Sequence, residues 1–287
     1  MPGIDLADTD TTRRRRASLN ADSELATAVS GRAWYHTIRL AEGITTPGWF
    51  DTRAVAARLP WPALSGKRCL DIGTFDGFWA FEMERRGASE VIAVDILDDA
   101  RLDWPLLSDP EQHKVIARRK GGGDGFVVAS KALGSSVQRL DCSIYDLSAK
   151  QHGSFDVVYL GSLLLHLRDP VRALERVRSV CAGTLLAVDG IDVPLSLLQP
   201  LRSTTYLEAK GRPYWHRPNL AGFRRMVRAG GFKIERGPRP FLMPTGAGFN
   251  HPRRRPASLK TREGRDVIFV SMLGDPHAWL TATPTGG

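Results

Sequence analysis

The run Cys69-Leu70-Asp71-Ile72-Gly73-Thr74-Phe75-Asp76-Gly77-Phe78-Trp79 predicts a buried strand, a glycine-bearing turn and the start of a helix. Gly73 and Gly77 let the backbone turn tightly and approach a ligand closely. The helix that follows offers unpaired N–H groups and the positive end of its dipole. We therefore expect a nucleotide-like ligand to bind over Gly73–Gly77.

Outside this run, short apolar segments alternate with amphipathic ones. Strands are predicted at 68–72, 90–94, 137–140, 155–160, 185–188, 232–234 and 267–272. Helices are predicted at 77–86, 126–133, 170–180 and 219–229. Strands that alternate with helices at this spacing indicate an α/β protein with a doubly wound, mostly parallel sheet of seven strands. The strand segments are continuously apolar, as expected when both faces of a sheet are covered.

The remaining segments differ in composition. Residues 1–30 are polar and predict a mobile tail with a short helix near Ser23–Val29. Residues 31–66 are rich in large aromatic side chains and predict a cover segment that packs on the main domain. The main domain is expected to cover 67–287, with an irregular insertion at 97–123 and a second insertion at 191–218.

The charge of the chain is unevenly distributed. The 287 residues carry 40 Lys plus Arg and 31 Asp plus Glu, a net charge of +9. The run Arg13–Arg16 is neutralised by acids of its own tail, so that residues 1–30 net −1, whereas residues 210–265 net +13. This region includes Arg253–Arg255. We expect it to form a positive surface beside the entrance for the substrate, where an anionic substrate or RNA would bind.

The cysteine and hydropathy patterns exclude several classes of protein. Cys69, Cys142 and Cys181 are far apart and form no CxxC pair, which argues against a disulfide framework and a zinc site and fits a reducing cytoplasm. No His, Cys, Asp or Glu cluster has the spacing of metal ligands, so we expect no metal. No run approaches the roughly 18 apolar residues of a membrane helix, so no membrane segment is expected.

The turn residues narrow the choice of ligand. Phe75 takes the place of the middle glycine of a GxGxxG dinucleotide motif, and the chain lacks the GKT or GKS of an NTP-binding loop. The Asp71 carboxylate would repel a phosphate but attract a cationic amino group. With Asp95 at the end of the next strand, the pattern suits a cofactor with an amino-acid tail and a ribose, such as S-adenosylmethionine.

The run 69–79 resembles motif I of class I S-adenosylmethionine-dependent methyltransferases, and Ser154–Pro170 is similar to their fourth-strand region. The segments Trp34–Ile38, Gly43–Trp49 and Trp215–Asn219 further resemble the branch of the wobble-uridine tRNA carboxymethyltransferases. The resemblance covers about residues 31–240 and implies the Rossmann-like methyltransferase fold.

The resemblance also implies cofactor-binding roles. Asp71 would hold the methionine amino group, and Asp95 would accept hydrogen bonds from both ribose hydroxyls. Phe75 would cover the cofactor or only shape the turn. The other expected cofactor-binding residues are Gly73, Thr74 and Gly77 at the methionine, Ile96, Ser143 and Ile144 at the adenine, and Leu160 and Gly161 near the sulfonium.

The catalytic candidates are histidines. His166 follows the fourth strand on the cofactor side and is expected to act as a general base or to shape the pocket, and His36 of the cover segment is the second candidate. An aromatic cluster follows the fifth strand and predicts an aromatic-lined acceptor pocket; its members are Tyr206, Tyr214 and Trp215. Trp104, in the first insertion, is expected either to stack on the adenine or to pack in the core.

Three functions fit these patterns. The first is in-line methyl transfer to O, N or C of a small or medium-sized metabolite. The second is methyl or carboxymethyl transfer to RNA such as a tRNA wobble uridine, for which Arg39 and Arg202 are candidate carboxylate ligands. The third, binding of S-adenosylmethionine without catalysis, is opposed by the intact acids and glycines of the turn.

Overall fold

The computed structural model describes residues 22–207, 214–249 and 262–286. The helices are α1 (22–30), α2 (Arg53–Ala56), α3 (Phe78–Arg85), α4 (Pro110–Lys120), α5 (Asp124–Leu133), α6 (Ala149–His152), α7 (Pro170–Val180), α8 (Val193–Leu198), α9 (Leu220–Ala229) and α10 (Arg262–Leu273). The strands are β1 (Trp34–His36), β2 (Arg39–Ala41), β3 (Ile44–Thr45), β4 (Gly48–Phe50), β5 (Arg68–Ile72), β6 (Glu90–Asp95), β7 (Gln138–Asp141), β8 (Phe155–Gly161), β9 (Cys181–Gly190), β10 (Thr205–Leu207), β11 (His216–Pro218), β12 (Phe232–Met243) and β13 (Asp275–Pro284).

The central sheet has seven strands in the order β12-β13-β9-β8-β5-β6-β7. Strands β5 to β9 pair in parallel, and β13 lies antiparallel between β9 and β12. This arrangement confirms the predicted mostly parallel α/β fold. Since parallel strands end at the same edge, Ile72, Asp95 and Gly161 come together at the carboxyl edge of the sheet, where ligands of such folds bind.

Both faces of the sheet are buried, which explains the continuously apolar strands. Leu70, Ile72 and Leu160 belong to one core cluster, whereas Cys69 and Tyr159 on the same strands belong to the other. Helices α7 and α9 cover the first face, and α3, α5 and the cover segment cover the second. Each of these strand residues is at most 1% exposed, so the strands are fixed by packing on both sides.

Two secondary-structure predictions are wrong. The insertion 97–123 is not irregular, because it contains α4, whose N-cap Asp109 accepts a hydrogen bond from the Glu111 amide at 2.9 Å. This helix is too polar to show a strong apolar period. Residues 267–272 form part of α10 rather than a strand, and the last strand, β13, follows Gly274, whose φ is +105°. The β-branched residues of 267–272 fit a strand by propensity, which tertiary packing overrides.

The N-terminal region carries a helix where one was predicted. Residues 22–30 are helical, and Val29 is buried in the second core cluster together with Trp34 of the cover segment. The earlier part of the predicted tail, including Arg13–Arg16, lies outside the described residues. Within the described ranges, no helix is both long and apolar enough to cross a membrane.

Candidate active site

The turn after β5 takes the conformation that its glycines permit. Gly73 has φ +77° and Gly77 has φ +90°, and Gly77 caps the start of α3. A Cβ on Gly77 would lie 2.5 Å from the Phe81 ring and 2.7 Å from Phe126. The position therefore requires glycine for both conformation and space.

Asp71 leads into this turn as a buried, unsatisfied carboxyl group. It is 1% exposed, and neither of its oxygens has a hydrogen-bond partner. Burial raises the pKa of Asp71 to about 7, against the opposing effect of the nearby Thr74 hydroxyl. The Thr74 hydroxyl is itself buried without a partner. A buried carboxylate at a glycine turn is suited to a cationic amino group, so these residues fit the methionine end of S-adenosylmethionine.

Phe75 lies over the turn rather than in the core. Its φ of +52° is unusual for a residue with a side chain. Its amide donates to Asp95 Oδ2 at 2.8 Å, and its half-buried ring lies 4.6 Å from the Tyr35 ring. In this position the ring forms part of the wall between the turn and the cover segment.

Asp95 already has a cationic partner in this structure. Lys120, at the end of α4, donates from Nζ to Asp95 Oδ1, and the two side chains are 5% and 8% exposed. The ammonium group also lies 5.3 Å from the centre of the Phe75 ring. The Ile96 amide donates to the same carboxylate oxygen at 2.8 Å. A ribose diol that takes both Asp95 oxygens must therefore displace Lys120.

The other predicted cofactor residues lie near the carboxyl edge of the sheet. The Cys142 amide donates to the Asp95 carbonyl at 3.0 Å, which holds the end of β7 and the next residue, Ser143, against β6. Ser143 caps the short turn 144–146 and Ile144 is buried. Leu160 is buried in the sheet and Gly161 is half-buried at its edge, close to Tyr159. Trp104 lies away from this group and stacks on His113 at 4.1 Å.

The cover segment is fastened to the turn by Asp76. Its Oδ2 accepts hydrogen bonds from the amides of Tyr35 (2.5 Å) and His36 (3.0 Å). Burial raises the pKa of Asp76 to about 7, and the two amides oppose the rise. His36 is 3% exposed and stacks on Phe78, and burial lowers its pKa to about 3. His36 is thus neutral at pH 7 and packs against α3.

His166 lies in the turn that follows β8. Its ring is half-buried and meets the Tyr214 ring edge-on at 5.0 Å, so the structure brings these two predicted residues together. The turn is fixed by Asp189, whose Oδ2 accepts from the Leu164 amide at 2.7 Å. Burial raises the pKa of Asp189 to about 7, and its backbone hydrogen bonds oppose the rise.

The two other aromatic candidates have structural contacts. The Trp215 indole donates to the Asp103 carbonyl at 2.5 Å, and Tyr206 lies opposite Arg217 in the hairpin of β10 and β11. The Asp103 carboxylate accepts from the Arg168 amide at 2.6 Å. Asp103 therefore links the first insertion to both the fourth-strand loop and the second insertion.

The described basic residues of 210–265 lie on more than one side of the molecule. Arg217 is paired with Asp275 at 2.6 Å. Arg224, Arg228 and Lys233 line a surface groove of about 450 Å³ at the start of β12. Because β12 runs in the direction of β9, this groove lies at the amino edge of the sheet, away from the turn. Arg253–Arg255 lies outside the described residues.

Sequence reasoning missed several residues that shape the site. Asp76 lies within the run 69–79 without an expected role, and Lys120 belongs to no motif. Their contacts come from segments 41 and 25 positions away. The buried histidine His277 and its partner Ser162 belong to β13 and the end of β8, which meet only in the folded sheet. In the ranges that the structure describes, no group of three His, Cys, Asp or Glu residues is placed to hold a metal ion.

The comparisons with known proteins show the family of the chain and agree with its fold. Residues 49–236 match the family model of the methyltransferase domain. A search of curated proteins found no match. The fold is similar to that of the methyltransferase in complex with the Trm112 activator of Haloferax volcanii, with 14% identity over 83% of this chain and 90% of that chain and a TM-score of 0.51. It is also similar to 1,6-didemethyltoxoflavin-N1-methyltransferase of Burkholderia thailandensis, with 16% identity over 82% and 78% and a TM-score of 0.48.

A Rossmann-like sheet with a glycine turn and two acids at its carboxyl edge defines a class I methyltransferase site. The family model matches more than half of the chain, so the chain belongs to the methyltransferase-domain family. It is an enzyme, and its cofactor is S-adenosyl-L-methionine. The finer resemblance to the wobble-uridine tRNA branch is not confirmed.

Proposed function

We propose that this enzyme transfers a methyl group to a small or medium-sized metabolite that binds between the cover segment and the carboxyl edge of the sheet. The observation that carries the proposal is the aromatic lining of this edge, where the Tyr35 ring lies 4.6 Å from Phe75 and the Tyr214 ring lies 5.0 Å from His166. Tyr35 reaches it from the cover segment and Tyr214 from the second insertion. Burial raises the pKa of Tyr35, and the charges of Tyr214, Asp275 and Asp189 raise it further. A site lined by aromatic side chains would suit a compact acceptor.

S-adenosylmethionine, when bound, supplies an electrophilic methyl group on a sulfonium. The chain's own residues would hold and orient the two reactants, which is the main requirement of in-line transfer. Asp71 would neutralise the amino group, and the turn glycines would leave room for the methionine backbone. Asp95 would accept from the ribose once Lys120 has moved. Asp76 keeps the cover segment closed over the turn, so that water is excluded.

The proposed acceptor nucleophile is an O, N or C atom. His166 would contact it, and the position of the imidazole beside Tyr214 in the fourth-strand loop supports this role. The low pKa of His36 and its packing on Phe78 fit a structural part in the cover segment better than proton transfer at neutral pH.

RNA is the second candidate acceptor, favoured by the exposed cations of α9 and β12. Arg224, Arg228 and Lys233 present positive charge, but at the amino edge of the sheet. An RNA bound to these cations would have to extend from the amino edge of the sheet to the proposed acceptor site at the carboxyl edge. Arg39 and Arg202, the candidates for a carboxymethyl group, are both exposed.

To test this, the enzyme is incubated with methyl-labelled S-adenosylmethionine and one of two fractions of a host extract. One fraction contains low-molecular-mass metabolites and the other contains total RNA. We expect label in the metabolite fraction and a flat dependence on salt. An Asp95→Asn variant should lose most of the transfer. Label found only in RNA, with a steep loss on adding salt, would contradict the metabolite proposal.

A further inference from the structure

Ser162 stands at the end of β8 in a backbone conformation that is unusual for serine. Its φ is +50°, and within the described residues only Phe75 shares a positive φ among residues that are not glycine. Such a strained conformation is concentrated at functional sites. Ser162 directly follows Gly161 at the carboxyl edge, and its amide donates to the Val188 carbonyl at 2.8 Å. The strained residue thus lies beside Gly161, the residue that the resemblance implies near the sulfonium.

The Ser162 hydroxyl is hydrogen-bonded to a buried histidine. Its Oγ lies 3.0 Å from Nε2 of His277, which is 3% exposed. The other ring nitrogen, Nδ1, lies 3.0 Å from the backbone carbonyl oxygen of Asp275. A carbonyl only accepts, so Nδ1 carries the proton in the neutral ring. Nε2 is then a bare acceptor, and the Ser162 hydroxyl donates to it.

His277 is buried beside two charged side chains, Arg217 and Asp275. Burial lowers the pKa of His277, the positive charge of Arg217 adds to this, and the Asp275 carboxylate opposes it. Asp275 Oδ2 lies 3.7 Å from Nδ1, and Asp275 Oδ1 is paired with Arg217 at 2.6 Å. His277 is therefore neutral at rest, and a carboxylate lies beside it when it becomes charged. Phe241 of β12 adds only an uncharged ring at 5.9 Å.

We propose that Ser162 and His277 form a proton relay and that the acceptor nucleophile is a hydroxyl group. This proposal rests on the proposed function. As the bond between sulfur and methyl breaks and the bond between acceptor oxygen and methyl forms, the acceptor proton passes to Ser162 Oγ. The Ser162 proton passes at the same time to His277 Nε2. The products are a methyl ether, neutral S-adenosylhomocysteine and an imidazolium paired with Asp275.

The relay explains why the acceptor should be protic. A hydroxyl is a weak nucleophile that benefits from losing its proton during the transfer, whereas a free amine needs no base for the bond to form. The ring of His166, the histidine in the turn that follows β8, faces Tyr214. Ser162 would be the catalytic residue that touches the acceptor. His277 would act through it as a positioning and proton-holding residue.

The experiment replaces the hydroxyl by a thiol and needs no acceptor. In Ser162→Cys, the titration of the new thiolate is followed by its ultraviolet absorbance, with the wild-type spectrum subtracted. Burial raises the pKa of the native Cys69 and Cys181 thiols to about 12 and about 11, and that of Cys142 also lies above its usual value, so they stay protonated in the range used. We expect the new thiol to titrate at least one unit below the pKa of about 8.5 of a free cysteine.

Two double variants show which histidine lowers the pKa of the new thiol. Ser162→Cys with His277→Asn keeps a donor toward the Asp275 carbonyl but removes Nε2, and its thiol should titrate at about 8.5 or above. Ser162→Cys with His166→Asn should keep the low value. The relay would be overturned if the new thiol had the same pKa in the single variant and in the double variant with His277→Asn. It would also be overturned if the low pKa were lost with His166→Asn.

A measurement on the wild type covers the case in which Ser162→Cys does not fold. Long-range proton–nitrogen NMR of the imidazoles, with His277 assigned from the His277→Asn spectrum, should show the tautomer protonated at Nδ1. The tautomer protonated at Nε2 would overturn the relay, because that nitrogen could not accept from Ser162. Calorimetric titration of S-adenosylhomocysteine into the same proteins tests the cofactor site separately, so its failure would count against the proposed function and not against the relay.

Discussion

Replacing Lys120 by Met should tighten the binding of S-adenosylhomocysteine. In the structure, Lys120 Nζ donates to the Asp95 oxygen that a ribose hydroxyl would use. The cofactor must therefore break this buried ion pair before Asp95 can accept from both hydroxyls. Methionine has a similar length and fills the same space beside Phe75 without a competing charge.

The magnitude follows from the contact that is lost on binding. A hydrogen bond to a charged group contributes about 1.5–3 kcal/mol. In the wild type, hydration of the displaced ammonium group offsets part of the free energy of breaking this contact. We therefore expect Lys120→Met to bind more tightly by about 1.4 kcal/mol, which is about tenfold in the dissociation constant. Asp95 stays satisfied without Lys120, because the Phe75 and Ile96 amides each donate to it at 2.8 Å. The variant is thus expected to fold.

Calorimetric titration of the wild type, Lys120→Met and Lys114→Met provides the test. Lys114 lies on the same helix, but it is exposed and pairs with Glu111 at the surface, so its loss should leave the affinity unchanged. Equal or weaker binding by Lys120→Met would contradict the competition between Lys120 and the ribose for Asp95. It would mean that Lys120 does not oppose cofactor binding.

Three further predictions concern stability and the cover segment. Gly77→Ala should lower the unfolding free energy by more than Gly134→Ala in urea titrations, because both have positive φ but only Gly77 meets other side chains; equal losses would contradict the packing argument. Since the pKa of Asp71 rises from 3.8 to about 7 on folding, the native state binds its proton more tightly and stability falls as pH rises through that range. Asp71→Asn should make this slope shallower by up to about 1.4 kcal/mol per pH unit, and an unchanged slope would show that Asp71 ionises normally. Asp76→Ala removes the acceptor of two buried amides, so hydrogen exchange should increase across residues 31–50 while the rest of the sheet stays protected; unchanged exchange there would mean that other contacts hold the cover segment.

The sequence predicted the parallel sheet because its strands are buried on both faces and read as apolar runs. Helix α7, at Pro170–Val180, was predicted with its observed ends, since Asp169 and Pro170 mark its start. Helix α4 was missed because it is held by single contacts such as that of Lys120, not by an apolar stripe. The strand predicted at 267–272 failed because local propensity does not register how α10 packs.

The site was predictable where it depends on one continuous turn. Asp71, Gly73 and Gly77 are neighbours in sequence, and their chemistry can be read there. The pairing of Lys120 with Asp95, and that of Ser162 with His277 across 115 positions, depends on strand order and on the placement of an insertion. No local pattern encodes these contacts.

The most direct test of the cofactor site is a crystal structure of the complex with S-adenosylhomocysteine. We expect the amino group beside Asp71, both ribose hydroxyls on the Asp95 carboxylate and Lys120 withdrawn from it. A ligand bound elsewhere, or a ribose that leaves the Lys120 and Asp95 pair intact, would contradict the account.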